Sequence, residues 1–133
     1  MLSTLHIENI AVIEQAEITF DQGFNVLTGE TGAGKSIVID AISAILGERA
    51  SREMIRTGAQ KAFVSAIFSN VPELPWFAEN QVPYEAELGI SREIFADGKN
   101  SCRVSGKPVT VSTLRRLGTQ LIQIHGQNDS QQL

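Results

Sequence analysis

The segment Gly29-Glu-Thr-Gly-Ala-Gly-Lys-Ser36 constrains this chain more than any other feature. It fits the pattern G-x-x-x-x-G-K-[ST], which needs a buried strand before it and a helix after it. Both are legible in the neighbouring residues. Phe24-Asn-Val-Leu27 is a short apolar run that reads as a buried strand. Residues 36–46 carry Ile37, Val38, Ala41, Ile42, Ile45 and Leu46 at helical spacing, and Gly47 offers a stop. With Gly at about 7% of residues, the four fixed positions arise by chance in fewer than about one chain in a hundred of this length.

Each position of the motif has a chemical task. Gly29, Gly32 and Gly34 let the backbone curl so that successive N–H groups converge on anionic oxygens, and Glu30, Thr31 and Ala33 contribute their amides to the same cradle. The loop opens onto a helix N-terminus, whose unpaired N–H groups and dipole favour negative charge. Lys35 can reach the β- and γ-phosphates, and the Ser36 hydroxyl can ligate the Mg²⁺ that bridges them. The expected ligand is a purine nucleoside triphosphate, ATP first. The bland alternative, a glycine-rich turn before a helix, lacks a reason for Lys35-Ser36 to follow.

Bulk properties narrow the class. The 133 residues suit one domain with a core of its own. No apolar run approaches the roughly 20 residues of a membrane span, and the first residues lack the basic start and apolar core of a signal peptide. Cys102 is the only cysteine, which excludes an internal disulfide and any multi-cysteine metal site. A cytoplasmic location is expected. The net charge of −4 argues against a nucleic-acid surface spread over the whole lobe, though not against a local patch. Arg49, Arg52 and Arg56 lie close together and Arg115-Arg116 form a pair; the plain reading of both groups is a solvated surface.

Further along, residues 5–10 and 12–20 read as two short strands, with 21–23 as a turn. Residues 62–68 are a strand. Residues 70–83 hold three prolines and Trp76 and read as a surface connection. Residues 89–96 and 101–104 flank Asp97-Gly-Lys-Asn100, a hairpin signal, and 108–110 a further short strand after the turn at 105–107. A helix starts near Ser112, a possible N-cap. Residues 121–125 look β-compatible, and Asp129-Ser-Gln-Gln132 has the outline of a capping box that opens another helix.

Two strands ahead of the phosphate-loop strand resemble the ATP-binding cassette architecture, in which an antiparallel β-layer flanks the nucleotide core. Leu5-His-Ile-Glu-Asn-Ile-Ala-Val-Ile-Glu14 resembles the opening of SMC-like ATPases. The phosphate loop with Thr31 where most SMC-like relatives carry Asn, then Ala44-Ile-Leu-Gly-Glu-Arg-Ala-Ser51, then Gln123-Ile-His-Gly-Gln-Asn128, together resemble the RecN family of bacterial SMC-like DNA-repair ATPases. The fold implied is α/β, a P-loop NTPase head lobe of the ABC/SMC type with a flanking antiparallel β-layer. The resemblance makes residues 29–36 a Walker A loop and places Gln127 at the Q-loop glutamine that touches Mg²⁺ and the attacking water; an amide can both accept and donate there. It sets Arg56 near the phosphates, where the alternative is an exposed surface arginine. His125 reads as a satisfied core or loop histidine before a catalytic base.

The resemblance also marks what these residues lack. A Walker B strand ending in Asp-Glu is missing; Ile37-Val-Ile-Asp40 sits on the helix after the loop and cannot be that strand. The nearest string to a Leu-Ser-Gly-Gly signature, Val104-Ser-Gly-Lys107, is better explained as turn chemistry. No coiled-coil heptads appear. The implied assignment for 1–133 is the N-terminal lobe of an ATPase head. It would work with the C-terminal lobe of the same protein and a second copy across sandwiched ATP. The implied task is recombinational repair of DNA double-strand breaks at the nucleoid, with no membrane partner. Such a lobe would bind ATP but hydrolyse it poorly. The rival assignment is the nucleotide-binding domain of an ABC transporter.

Overall fold

The computed structural model describes residues 2–20 and 32–129, with side chains over 2–20 and 36–124. The expected turn at 21–23, the strand at 24–27, and Gly29, Glu30 and Thr31 lie outside the described residues. Alternating apolar and polar residues build six strands: β1 (Leu2–Ile10), β2 (Ile13–Thr19), β3 (Lys61–Phe68), β4 (Leu88–Phe95), β5 (Asn100–Val104) and β6 (Lys107–Val109). They form one antiparallel sheet in the order β2-β1-β3-β4-β5-β6. The helices are α1 (Gly32–Ile45), the short α2 (Pro75–Glu79) and α3 (Val111–Asp129).

Period-2 alternation gives the sheet its inner face. Leu5, Ile7, Ala62, Val64, Ala66, Phe68, Leu88, Ile90, Ile94, Cys102 and Val104 all point into the core. Helix α1 covers this face with Ile37, Val38, Ala41, Ala44 and Ile45, and α3 adds Leu114, Leu117 and Leu121. The β5–β6 turn has φ +52° at Ser105 and +81° at Gly106, the two-residue hairpin conformation that matches strand twist. At the β4–β5 turn, the Phe95 amide donates to the Lys99 carbonyl (2.9 Å), and Gly98 takes φ +93°.

Three expectations are overturned. The connection at 70–83 is not a surface loop: Val71, Trp76, Phe77 and Val82 are buried and roof one end of the core. The prolines end regular structure locally, but the apolar residues between them carry too much area to leave in water. Trp76 Nε1 donates to the Thr113 carbonyl at 3.0 Å, which satisfies the indole in the interior. Second, 121–125 is not a strand, and the capping-box outline at 129–132 runs outside the described residues. One helix runs through from Val111 to Asp129, because Leu114, Leu117 and Leu121 form a helical stripe into the core. Thr110, not Ser112, caps α3: its Oγ1 accepts the Thr113 amide at 3.1 Å. No helix among the described residues is long and apolar enough to cross a membrane.

Candidate nucleotide site

Helix α1 begins at Gly32, within the glycine-rich motif and four residues earlier than spacing predicts. Its first-turn amides therefore belong to the motif itself, and no acidic residue occupies that turn. First-turn amides at the positive end of a helix form an environment for phosphate. Ser36 is exposed at the start of the second turn, while Ile37 and Val38 beside it are buried. The donor set fits a Mg²⁺-nucleotide: a hydroxyl and a row of amides at a helix start. The Lys35 side chain lies outside the described residues. So do the side chains of His125 and Gln127, whose backbone is helical near the end of α3.

Arg56 follows a short 3-10 turn at Arg52–Met54. Its amide donates to the Asn9 carbonyl at 2.8 Å, and the Ala11 amide to the Met54 carbonyl at 2.8 Å, so this segment laces onto the β1–β2 turn. The half-buried Arg56 side chain has no hydrogen bond or ion pair among the described residues. The structure brings Ser36 onto the start of α1 and Arg56 beside the end of β1.

The far end of α1 shows what holds the helix in place. Gly47, at φ +87°, reverses the chain. The Glu48 amide donates to the Ser43 carbonyl (3.0 Å) and the Gly47 amide to the Ala44 carbonyl (3.1 Å), a Schellman pair that satisfies two terminal carbonyls. Arg92 then reaches in from β4. Its Nη1 donates to the carbonyls of Ala44 (2.8 Å) and Glu48 (2.6 Å), and its Nε to Asn100 Oδ1 (2.9 Å). The guanidinium gives the Ala44 carbonyl a second donor and the Glu48 carbonyl a donor, and it meets the negative end of the helix dipole. Helix α3 crosses at the same point. A Cβ on Gly118 would stand 2.0 Å from the Leu46 carbonyl oxygen, and one on Gly47 2.4 Å from the Arg115 Cα. Only glycines let the two helices approach so closely.

Arg92 is 2% exposed and, among the described residues, the only charged residue of the core. Sequence reasoning missed it, although the signal was present: period-2 alternation puts Arg92 on the same face as Leu88, Ile90 and Ile94. Cys102 is its partner across β4 and β5. Burial pulls Arg92 below its ordinary pKa and pushes the Cys102 thiol above its own, each shift partly offset by the other group. A guanidinium starts so high that Arg92 stays charged, and Cys102 stays a neutral thiol.

Residues 4–132 match a family model described as an AAA domain. Among curated proteins, the DNA repair protein RecN of Bacillus subtilis is 47% identical over 137 residues, covering 100% of this chain and 24% of the relative. RecN of Vibrio cholerae is 40% identical, again over 100% of this chain and 24% of the relative. The chain thus spans about a quarter of the length of these curated relatives and matches their N-terminal part. Among solved structures, one described in terms of ATP-driven dimerization and DNA stimulated activation of SMC ATPases superposes with a TM-score of 0.69 at 27% identity, over 89% of this chain and 77% of that one. An SMC head bound to the C-winged helix domain of ScpA gives 0.68 at 28% identity, over 89% and 40%. The recombination mediator RecF, at 0.66 and 14% identity over 86% and 29%, shares the fold.

Proposed function

The chain belongs to the AAA domain family and matches the N-terminal part of RecN along its whole length, and from that premise we propose that residues 1–133 are the ATP-binding N-terminal lobe of an SMC-like ATPase head. The observation that carries this reading is the match of this whole chain to part of DNA repair proteins, combined with a phosphate-loop motif that runs into the start of α1. The relatives described above are repair proteins and SMC heads, which favours repair over the transporter alternative.

The division of labour follows from chemistry. The amides of Gly29, Glu30, Thr31, Gly32, Ala33 and Gly34 cradle the phosphates. Lys35 neutralises charge on the β- and γ-phosphates, and Ser36 offers its hydroxyl to Mg²⁺. Gln127 orients the attacking water, and Arg56 adds positive charge near the triphosphate. A Mg²⁺ ion, when bound, supplies charge neutralisation between the β- and γ-oxygens. The carboxylate that activates water is not among these residues, so hydrolysis needs the C-terminal lobe and a second head across the nucleotide. Binding and hydrolysis then drive head engagement and release during double-strand-break repair, in the cytoplasm at the nucleoid.

Calorimetry of Mg²⁺–ATP against the chain tests the site. We expect saturable binding that Lys35→Ala abolishes. A folded chain that binds no ATP, or one whose binding is indifferent to Lys35→Ala, would refute the placement of the site.

A further inference from the structure

We propose that the outer edge of β2 is a docking edge for a separate protein, one that adds an extended strand of alternating basic and apolar residues. The six-stranded sheet ends in β2 on one side and β6 on the other, and the two ends are built differently. At the β6 end, the turn at Ser105-Gly106 closes on the pair Val104 and Lys107. The bond that closes such a turn makes this a hydrogen-bonded pair. Alternation then turns the next backbone nitrogen, that of Pro108, away from β5. Proline has no N–H to offer there. Exposed Lys107 beside it is a second common block to strand addition.

The β2 end has neither block. The Phe20 amide donates to the Ser3 carbonyl at 2.8 Å. The same alternation directs the backbone groups of Ile18 and Ala16 to β1, and those of Thr19, Glu17 and Gln15 away from it. These three residues are exposed, and β2 holds no proline and no lysine. Among the described residues β2 pairs only with β1. Sheets ordinarily blunt their edges; here one edge is blunted and the other keeps its row of donors and acceptors.

The side chains along this edge specify the occupant. Residues 2–19 carry three carboxylates, Glu8, Glu14 and Glu17, and no Lys or Arg. Gln15 and Glu17 share the outer face of the sheet with their register partners Glu8 and His6. His6 Nε2 lies 2.7 Å from Glu8 Oε2, and its Nδ1 lies 3.8 Å from Glu17 Oε1. One imidazole carries at most one positive charge, so it does not offset both. On the other face, Ile18 is buried at the rim of the core. An added strand therefore sets alternate side chains beside carboxylates and the rest against apolar surface, which suits lysine or arginine on one face and valine or isoleucine on the other. A second copy of this chain does not suit. Two β2 edges would bring like charges together, and β6 has no outward amide.

The test uses the chain without nucleotide, so its outcome is independent of the phosphate-loop reading. The probe is an end-blocked peptide of about seven residues that alternates valine and lysine. On saturation we expect amide hydrogen exchange to slow at least about tenfold at Gln15, Glu17 and Thr19, and less than about twofold at Ala16 and Ile18, which already bond to β1. Glu8→Gln/Glu17→Gln should weaken binding at least about tenfold in fluorescence anisotropy. A peptide with proline for its central valine keeps the charge and loses a ladder amide, and it should bind at least about tenfold more weakly. Gln15→Pro, whose nitrogen faces away from β1, should stay folded by circular dichroism and lose the peptide; the proline peptide makes the same comparison on the wild-type chain. The proposal is overturned if the peptide does not bind, or if the proline peptide or a glutamate-for-lysine peptide binds as well. It is also overturned if the chain alone dimerises in sedimentation with those three amides protected, since a second copy then holds the edge.

Discussion

The two ends of α1 are made by different means. The N-terminal end grows out of a contiguous motif, because backbone amides and two adjacent side chains, Lys35 and Ser36, suffice to meet a triphosphate. The C-terminal end is assembled from Gly47 just past the helix, Arg92 on β4 and Gly118 on α3, dozens of residues apart in the chain. One end offers its first-turn amides to the proposed ligand. The other is closed by a Schellman pair, a buried guanidinium and a glycine-mediated crossing. A helix that presents amides to a charged ligand gains by being anchored where the ligand is not. Substitutions at the far end should therefore cost stability, and substitutions at the near end should cost binding.

Gly118→Ala attacks the comparison hardest. Alanine favours a helix by about 1 kcal/mol over glycine, but its Cβ would collide with the Leu46 carbonyl oxygen. We expect a net loss of about 3–4 kcal/mol in urea unfolding. A gain in stability would mean that the two helices do not cross here. Arg92→Met comes next. Methionine fills much of the volume but leaves the Glu48 carbonyl and Asn100 Oδ1 without their donor. The expected loss is about 2–3 kcal/mol, and a variant as stable as wild type would show that the guanidinium is not an anchor. Lys35→Ala is the smallest perturbation of the fold: stability within about 0.5 kcal/mol of wild type, despite the loss of ATP binding. An unfolding shift as large as that of Arg92→Met would erase the distinction between the two ends.

Much of the sheet was legible. Alternation placed β1, β2, β3, β4 and β5 to within a few residues, and Asp97-Gly98 and Ser105-Gly106 marked their hairpins through turn chemistry that is local by nature. The errors fell where a local signal competed with a distant partner. Prolines at 72, 75 and 83 read as surface, yet Trp76 is buried under α3 with its indole on Thr113. The helix expected from Ser112 runs on through Gly118, where Leu46 occupies the space a side chain would need. Of the candidate site, Ser36 and the start of α1 stand among the described residues as helix and exposed serine. Arg56 is placed beside Asn9 by its backbone. Arg92, central to the geometry, went unread because a charged residue in an alternating strand is ordinarily assigned to the wet face.

By itself the sequence determined the helix that follows the glycine-rich motif, the antiparallel hairpins and the kinship with RecN. Each of these rests on short-range periodicity or on a backbone conformation that neighbouring residues specify. Only the tertiary structure decided which face of the sheet carries a buried cation, where α1 and α3 touch, and that β2 and β6 are the two edges of the sheet. Those facts depend on close approach between residues far apart in the chain. Such an approach becomes favourable only when the whole inner face is buried together, so no window of sequence contains it.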